Sequence, residues 1–309
     1  MEQKEKNQKK NRKAAKIPKW IWWTIGVVLI LVIISEMSWY FYIARRSRQM
    51  KCQAVSIEQI GKDRGESFRS VAEKQQEVTL QLAEEKKKEL EQEEARKKNE
   101  GKIIVIDAGH QAQQNSEKEP LGPGSSQMKA KVSSGTAGIQ TKTPEYQVTL
   151  DVALKLQKDL ENRGYTVVMV RTSNEVNISN AERAQIANEK NAAAFVRLHC
   201  DGSENTSASG AMTICMTASS PYCAEVYAKS KALSTAVLNH LSERTGASAN
   251  KVWETDTMSG INWSKVPVTI VEMGYLTNPT EEQKLISSDY QDLLAAGIAD
   301  GIEEFLKEE

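Results

Sequence analysis

The sequence predicts an α/β fold, with a mostly parallel sheet flanked by helices, preceded by one transmembrane helix and a charged helical spacer. Three observations predict this organisation. Residues 20–44 are almost wholly apolar, residues 45–100 are dense in charge, and residues 101–309 alternate short apolar runs with helix-like stretches. Such alternation is typical of parallel sheets, because each crossover between parallel strands needs a long connection. A basic tail, residues 1–19, precedes these three segments.

The first two segments predict a membrane anchor. Lys plus Arg equals Asp plus Glu at 41 each, yet residues 1–19 are strongly basic. The apolar run that follows favours a membrane-flanking tail and argues against nucleic acid as a partner. Residues 20–44 are long enough to cross a bilayer at about 1.5 Å per residue, and Glu36 is their one formal charge. Because the basic excess precedes the helix, the positive-inside rule predicts a single-pass protein with a cytoplasmic amino terminus and an extracellular segment 101–309.

A cleaved signal peptide is the alternative for the apolar segment. Residues 21–34 alone would serve as its hydrophobic region. Residues 35–41, Ser-Glu-Met-Ser-Trp-Tyr-Phe, offer no small-x-small cleavage site. We therefore favour an uncleaved anchor.

The charged segment 45–100 predicts a helical spacer. Between Glu58 and Glu100 the sequence lacks proline and alternates acidic with basic blocks. This pattern favours a solvent-exposed helix stabilised by i,i+4 ion pairs. Its apolar residues make only a partial heptad seam, so a simple spacer and a coiled coil that binds partner proteins both stay open.

Apolar spacing and capping signals predict the order of elements in the remaining segment. The elements are strand 103–107, helix 144–163, strand 165–170, helix 179–190, strand 193–199, strand 210–216, helix 221–245, strand 266–272 and an amphipathic carboxyl-terminal helix through Leu294 and Phe305. The connection 111–144 reads as a long polar loop. Two helix starts carry capping signals, Thr143 before Pro144 and the capping box of Ser179 with Glu182.

Three predicted strands end on residues that can bind a metal ion or move a proton. These residues are His110, His199 and Glu272. Because the carboxyl ends of parallel strands share one edge of a sheet, we expect the three side chains to converge. Glu145, in the first turn of helix 144–163, would complete the group. Two imidazoles and a carboxylate with an open fourth position suit catalytic zinc, and one further carboxylate is left to move protons.

Four sequence motifs occur in a specific order around these residues. They are Ile106-Asp107-Ala108-Gly109-His110, Pro144-Glu145-Tyr146, Arg197-Leu198-His199-Cys200-Asp201-Gly202 and Val271-Glu272-Met273-Gly274-Tyr275-Leu276-Thr277-Asn278-Pro279. With these motifs, residues 101–309 resemble the zinc-dependent N-acetylmuramoyl-L-alanine amidases of the Amidase_3 family. The resemblance implies that His110, Glu145 and His199 bind Zn²⁺ and that Glu272 is catalytic.

The resemblance also implies a substrate, and the predicted membrane anchor implies a location. The substrate would be peptidoglycan, cut between N-acetylmuramic acid and the L-alanine of the stem peptide, in cell-wall remodelling or catabolism. Glu272 would take a proton from the attacking water and deliver it to the departing amine. The protein would sit in the bacterial cell membrane with its amidase domain, residues 101–309, outside. The spacer would then be available to cell-wall or division proteins.

Two other functions stay open. A catalytically silent wall-binding or division scaffold would use the fold only to grip glycan, but a binding module has no need of two His and two Glu in this arrangement. A zinc peptidase acting on stem peptides would use similar chemistry. The HExxH signature of many metalloproteases is absent from the sequence, which weakens that alternative.

Further residues are candidates for supporting roles. Asp107 and Arg183 are candidates for support behind the metal ligands. A polar loop ahead of the Glu272 strand offers four candidates for contacts with sugar or peptide. These are Trp253, Asp256, Asn262 and Trp263. No motif and no strand end marks His240, which lies on a predicted helix, as a metal ligand.

The cysteines do not form a structural zinc motif. Cys52, Cys200, Cys215 and Cys223 lack CxxC spacing. Outside the cell, a disulfide between Cys215 and Cys223 and buried free thiols are both open. Strand alternation aims Cys200 away from the face used by His199, which argues against Cys200 as a ligand of the same metal.

Overall fold

The computed structural model describes Trp23, Ile34, residues 37–55 and residues 68–307. Residues 37–55 are helical. Helix α1 spans Phe68–Asn99, and most of the side chains described along it are exposed. A charged, exposed helix is what the alternating charge blocks predict for this segment. Its role as a spacer or a coiled coil stays a prediction.

The predicted transmembrane segment, residues 20–44, falls largely outside the described residues. In the part of the chain that the structure describes, no helix combines the length and the apolar character needed to cross a membrane. The basic tail, residues 1–19, lies wholly outside the described residues.

The chain divides into two compact units, residues 1–88 and 89–309. The strands of the second unit are β1 (Ile103–Ala108), β2 (Asn115–Pro120), β3 (Met128–Val132), β4 (Thr166–Met169), β5 (Ala194–Asp201), β6 (Ala211–Cys215), β7 (Ala249–Glu254) and β8 (Val268–Tyr275). Six of them form a sheet in the order β4-β1-β5-β8-β6-β7, while β2 and β3 form a separate antiparallel pair. Within the six-stranded sheet all neighbours are parallel except β6 and β8. The predicted mostly parallel sheet is confirmed.

Helices cover both faces of this sheet. They are α2 (Glu145–Asn162), α3 (Asn180–Glu189), α4 (Tyr227–Thr245), α5 (Ser259–Asn262), α6 (Pro279–Leu285) and α7 (Ser288–Lys307). Side chains from α2, α4 and α7 pack with Ile104 and Ile106 in one core cluster, while α3 and α5 pack with Val105 in another. Successive strand residues alternate between the two clusters, which is why the strands read as continuous apolar runs.

The predicted loop 111–144 is wrong in one respect, because it contains the hairpin β2–β3. Its first strand, Asn-Ser-Glu-Lys-Glu-Pro, shows no apolar alternation, and three of its six side chains are exposed. Strand β7 and helices α5 and α6 are also absent from the sequence prediction. Most side chains of β7 are likewise exposed, and the two helices are short. Local apolar pattern therefore finds five strands of the six-stranded sheet and misses the edge strand β7 and the separate hairpin.

Helix boundaries follow the capping signals in one case and depart from them in another. The capping box is confirmed, because Ser179 Oγ accepts from the Glu182 amide at 3.2 Å and Glu182 Oε2 accepts from the Ser179 amide at 2.7 Å. Helix α2 instead has Pro144 at its N-cap, without a side-chain cap. The hydroxyl of Thr143 pairs with that of Thr141 at 2.8 Å, so it is not available as the predicted cap.

The cysteines are all free thiols. Cys215 and Cys223 are buried, so the disulfide alternative is wrong and the buried-thiol alternative holds. Burial raises the pKa of each of these two thiols to about 11. Cys200 packs in the core cluster of α2, α4 and α7, as strand alternation predicts.

Candidate metal centre

Strand register brings four polar residues to one face of the sheet. Asp107 of β1 lies opposite Arg197 of β5, and His199 of β5 lies opposite Glu272 of β8. Since side chains alternate along a strand, Arg197 and His199 point to the same face. Pairing of β5 with β8 is therefore sufficient to set the predicted second histidine beside the predicted catalytic glutamate.

His110 approaches this face through an unusual backbone conformation. Its φ of 61° lies in the left-handed region, which costs a non-glycine residue on the order of 1–3 kcal/mol. Two buried guanidinium groups hold the turn. Arg183 Nη2 donates to the His110 carbonyl at 3.1 Å, and Arg171 Nη2 donates to the Gly109 carbonyl at 3.0 Å. These bonds fix the direction in which the His110 imidazole points.

Three side-chain atoms form a compact triangle beside the sheet. His110 Nε2 lies 3.1 Å from Glu145 Oε1, His199 Nδ1 lies 3.0 Å from the same oxygen, and the two nitrogens are 3.1 Å apart. Around tetrahedral zinc, with bonds of about 2.0–2.1 Å, ligand atoms are about 3.3 Å apart. The three predicted ligands thus meet in a geometry that fits zinc. Among the described residues, they form the group of His, Cys, Asp and Glu side chains that could hold a metal ion.

The tautomer of His110 directs a lone pair, not a proton, at the centre of this triangle. His110 Nδ1 lies 2.9 Å from the Ser133 carbonyl oxygen. A carbonyl oxygen can only accept, so Nδ1 carries the proton and Nε2 of the neutral ring is unprotonated. Burial lowers the pKa of His199, which favours its neutral form as well. Neutral imidazole nitrogens are the form that binds zinc.

Backbone amides orient the Glu145 carboxylate. Oε2 accepts from the Thr136 amide at 2.8 Å, and Oε1 accepts from the Cys200 amide at 3.1 Å. Two amide donors favour the ionised form of a carboxyl group. An ionised oxygen and two imidazole nitrogens at these separations repel one another unless a cation or proton lies between them, which again fits a metal site.

Gly135 allows the loop after β3 to close over two of these side chains. Its φ is 76°, and a Cβ there would lie 2.6 Å from Glu145 Oε2 and 2.8 Å from His110 Cδ2. Glycine alone tolerates both the conformation and the close approach. The loop thereby encloses one side of the triangle.

Glu272 lies beside the triangle without belonging to it. It lines a cleft together with His110 and His199, and its Oε2 is buried without a hydrogen-bond partner in the described part of the chain. Burial raises the pKa of Glu272 well above its ordinary value, and the carboxylates of Glu145 and Asp201 add to the rise. A carboxyl group with these properties suits proton transfer at a reacting centre.

Asp107 links two arginines behind the site. Both Asp107 and Arg183 are fully buried; Asp107 accepts from Arg183 Nη1 at 2.6 Å and from Arg197 Nε at 2.8 Å. Burial by itself would raise the pKa of Asp107, but the two guanidinium groups outweigh it and hold the pKa well below its ordinary value. Because Arg183 also bonds to the His110 carbonyl, both predicted supporting residues lie directly behind a predicted ligand.

Two clefts meet at the triangle, and His110, His199 and Glu272 line both. The first cleft, of about 330 Å³, is bounded by β3 and α5. The second, of about 520 Å³, is bounded by the loops that follow β3 and β5. A substrate laid across the triangle would therefore have one arm in each cleft.

The four predicted substrate-contact residues line neither cleft. Asn262 Nδ2 and Trp263 Nε1 instead donate to backbone carbonyls at the end of the hairpin, at 3.1 and 3.0 Å. Asp256 accepts from Thr217, and the Trp253 ring packs against a lysine on β7. The side chains of these four residues therefore make contacts within the fold itself, and those of Asn262 and Trp263 anchor the hairpin.

Sequence reasoning missed three residues that shape the site, Arg197, Arg171 and Ser133. A signal for Arg197 exists, because it precedes His199 by two positions in the same strand and so shares its face. Arg171 and Ser133 act through backbone carbonyls and loop paths, which leave no periodic signal. His240, as expected, is not part of the metal group; it pairs with Glu304.

The fold and the triangle together define a class of protein. A His-Glu-His centre with a neighbouring carboxylate, at the carboxyl edge of a mostly parallel sheet, is an arrangement suited to a zinc hydrolase. A family profile described as N-acetylmuramoyl-L-alanine amidase, Amidase_3, matches residues 104–304. That span is well over half of the chain, and the chain therefore belongs to this family.

Individual relatives agree with the family assignment. The catalytic domain of CwlV, the N-acetylmuramoyl-L-alanine amidase from Bacillus (Paenibacillus) polymyxa var. colistinus, is 27% identical with a TM-score of 0.55, over 67% of this chain and 99% of that one. The amidase Ami1 from Mycobacterium smegmatis, 24% identical, supports the fold, with a TM-score of 0.62 over 68% of this chain and 99% of that one.

A curated relative is the probable cell wall amidase LytH from Staphylococcus aureus. It is 26% identical over 202 residues, which is 65% of this chain. The chain spans 57% of the length of that relative.

Proposed function

We propose that this chain is a zinc-dependent peptidoglycan amidase that hydrolyses the amide bond between N-acetylmuramic acid and the L-alanine of the stem peptide. The observation that carries the proposal is the triangle of His110, Glu145 and His199, with Glu272 in register beside His199. Membership of the amidase family supports the choice of bond. The likeness to LytH, a probable cell wall amidase, supports the choice of substrate.

The residues of the site have distinct roles in this proposal. His110, Glu145 and His199 hold the zinc ion, which supplies Lewis acidity that makes water nucleophilic near neutral pH and polarises a carbonyl group. Glu272 accepts a proton from the attacking water and delivers it to the nitrogen of the departing amine. Asp107 and Arg183 hold the turn that aims His110.

The proposal extends to where the enzyme works. Residues 20–44 would form one transmembrane helix in the bacterial cell membrane, with the amino terminus in the cytoplasm and the amidase domain outside. The strong exposure of Trp39, Tyr40 and Phe41, in the helical residues 37–55, supports an interfacial position for this end of the segment. Helix α1 would hold the domain away from the membrane or bind cell-wall or division proteins. A solved amidase of this fold, CwlD from Clostridioides difficile, forms a complex with the lipoprotein GerS.

Digestion of defined muropeptides by the full-length protein tests the activity. We expect free stem peptides that begin with L-alanine, lost on chelation and restored by zinc, with products identified by mass spectrometry. Products that still carry the muramyl-to-alanine bond would assign the protein to the peptidases. A folded, zinc-loaded protein that binds peptidoglycan and releases nothing would be a scaffold.

A further inference from the structure

The first cleft has an excess of positive charge. Among the described residues that line it, Lys129 and Arg197 are cationic, and Glu272 is the carboxylate. Lys129 belongs to β3 and forms part of the wall, whereas Arg197 belongs to β5 and is only 3% exposed. The second cleft differs, since Asp201 and Glu204 line it and no described lysine or arginine does.

Arg197 shares its ion-pair partner, and two further carboxylates, Glu119 and Glu272, act on it electrostatically. Its partner Asp107 is shared with Arg183, so that one buried carboxylate faces two buried guanidinium groups. A third buried arginine, Arg171, bonds only to neutral groups in the described structure, among them the carbonyls of Ala108 and Gly109.

Both cations keep donors that the protein does not use. Arg197 Nε binds Asp107 and Nη2 binds Asn180 at 2.8 Å, while no described residue accepts a hydrogen bond from Nη1. Gly260 packs against this atom so closely that a Cβ there would collide with Nη1, so the backbone of α5 covers part of this end of the guanidinium. Lys129 Nζ donates to the Thr257 carbonyl at 2.7 Å, which leaves two of its three N–H groups.

We propose that the first cleft binds a carboxylate of the substrate, with Lys129 as the contact residue and Arg197 as the positively charged floor. The inference rests on the proposed amidase function and deepens it. It assigns the peptide arm of the substrate to the first cleft and the sugar arm to the second. The preferred ligand is a stem peptide whose acidic residue, close to the cut amide, carries a free carboxylate in place of a carboxamide.

Two muropeptides that differ at this one group provide the test. Full-length zinc-loaded protein is assayed on substrates whose second stem residue is D-glutamate or D-isoglutamine. Because a hydrogen bond to a charged group contributes roughly 1.5–3 kcal/mol, kcat/KM should be roughly 10–100-fold higher for the acid. Equal rates on the two substrates would overturn the carboxylate site. Cleavage of neither substrate would count against the proposed amidase function instead.

Substitutions of two lysines on β3 test whether the preference for the acid arises in the first cleft. Lys129→Gln should lower kcat/KM for the acid about tenfold more than for the amide, and Lys129→Glu should reverse the preference. Lys131→Gln is the matched control, because Lys131 lies on the same strand and pairs with the exposed Glu117 at 2.7 Å, away from the cleft. Equal losses of kcat/KM for the acid in the two glutamine variants would mean that the net charge of the protein, and not a contact with Lys129, causes the preference. That result would overturn the site. Arg197→Lys, checked for zinc content and melting temperature, should keep a preference for the acid.

Discussion

The two sides of the metal centre are built by different means. On the sheet side, strand register sets His199 beside Glu272, and buried ion pairs fix the floor. On the hairpin side, single hydrogen bonds to backbone carbonyls position the side chains. Examples are the bond from His110 Nδ1 to the Ser133 carbonyl and the bond from Trp263 Nε1 to the Pro120 carbonyl. Strand register depends on many backbone hydrogen bonds at once, whereas each of these contacts depends on one donor and one acceptor. We therefore expect substitutions at Glu272 and in the buried ion pairs to have larger effects than the loss of a single hydrogen bond on the hairpin side.

The largest effect is expected on the sheet side from Glu272→Gln. An amide cannot accept and return a proton, so kcat should fall roughly 10²–10⁴-fold. Zinc content should not change, since Glu272 lies outside the triangle. The buried, partnerless carboxylate also disfavours the folded state, so the melting temperature should not fall. Steady-state kinetics, metal analysis and thermal unfolding check these outcomes, and wild-type turnover in this variant would remove Glu272 from the mechanism.

Asp107→Asn tests the floor of the site. The substitution leaves Arg183 and Arg197 buried without their carboxylate, which should lower the free energy of unfolding by about 3–5 kcal/mol. Asp292→Asn is the control, because Asp292 is 61% exposed in its ion pair with Lys155 and the pair should contribute less than about 1 kcal/mol. Urea denaturation of both variants measures the difference. Similar small losses of unfolding free energy in the two variants would show that the buried pairs of Asp107 with Arg183 and Arg197 stabilise the fold no more than a surface ion pair does.

The same carboxylate predicts a dependence on pH. The pKa of Asp107 in the folded protein is held below its ordinary value of 3.8, so its contribution to stability is complete above that value. It is lost as pH falls further, because protonation then favours the unfolded chain. The stability gap between wild type and Asp107→Asn should therefore be constant from about pH 7 to pH 5 and shrink below about pH 4. A gap that widens on acidification would contradict the assignment.

A smaller effect is expected on the hairpin side from Trp263→Phe. The change removes the donor to the Pro120 carbonyl and should cost about 0.5–1.5 kcal/mol. Hydrogen exchange should speed up in β2 and β3, while zinc affinity is unchanged. Trp253→Phe, on the largely exposed edge strand β7, is the control and should leave that exchange rate unaltered. Faster exchange throughout the sheet would mean that the hairpin is not a separate unit of the site.

The predictable part of the molecule is the sheet side. Apolar runs mark β1, β5 and β8, and the rule that parallel strands share their carboxyl ends is enough to bring His110, His199 and Glu272 together. The capping box of Ser179 with Glu182 likewise depends on neighbours in sequence. The start of an amphipathic helix marks Glu145 only as a candidate, and its role as a ligand comes from the resemblance to the amidase family.

The hairpin side could not be predicted in the same way. Strand β2 is polar and carries no apolar alternation, whereas β3, Met-Lys-Ala-Lys-Val, does alternate and is a strand signal that sequence reasoning missed. Their position depends on bonds to distant residues such as Asn180 and Trp263. The same holds for Arg171, which acts on the site only through backbone carbonyls that sequence pattern does not reveal.

An anomalous-scattering map at the zinc edge, from crystals of the zinc-saturated full-length protein, tests the central claim most directly. We expect one zinc peak bonded to His110 Nε2, Glu145 Oε1 and His199 Nδ1 at about 2.0–2.1 Å, with Glu272 nearby and unbonded. A folded, zinc-saturated protein with no peak among these three atoms, or with Glu272 in place of Glu145 as the ligand, would contradict the account.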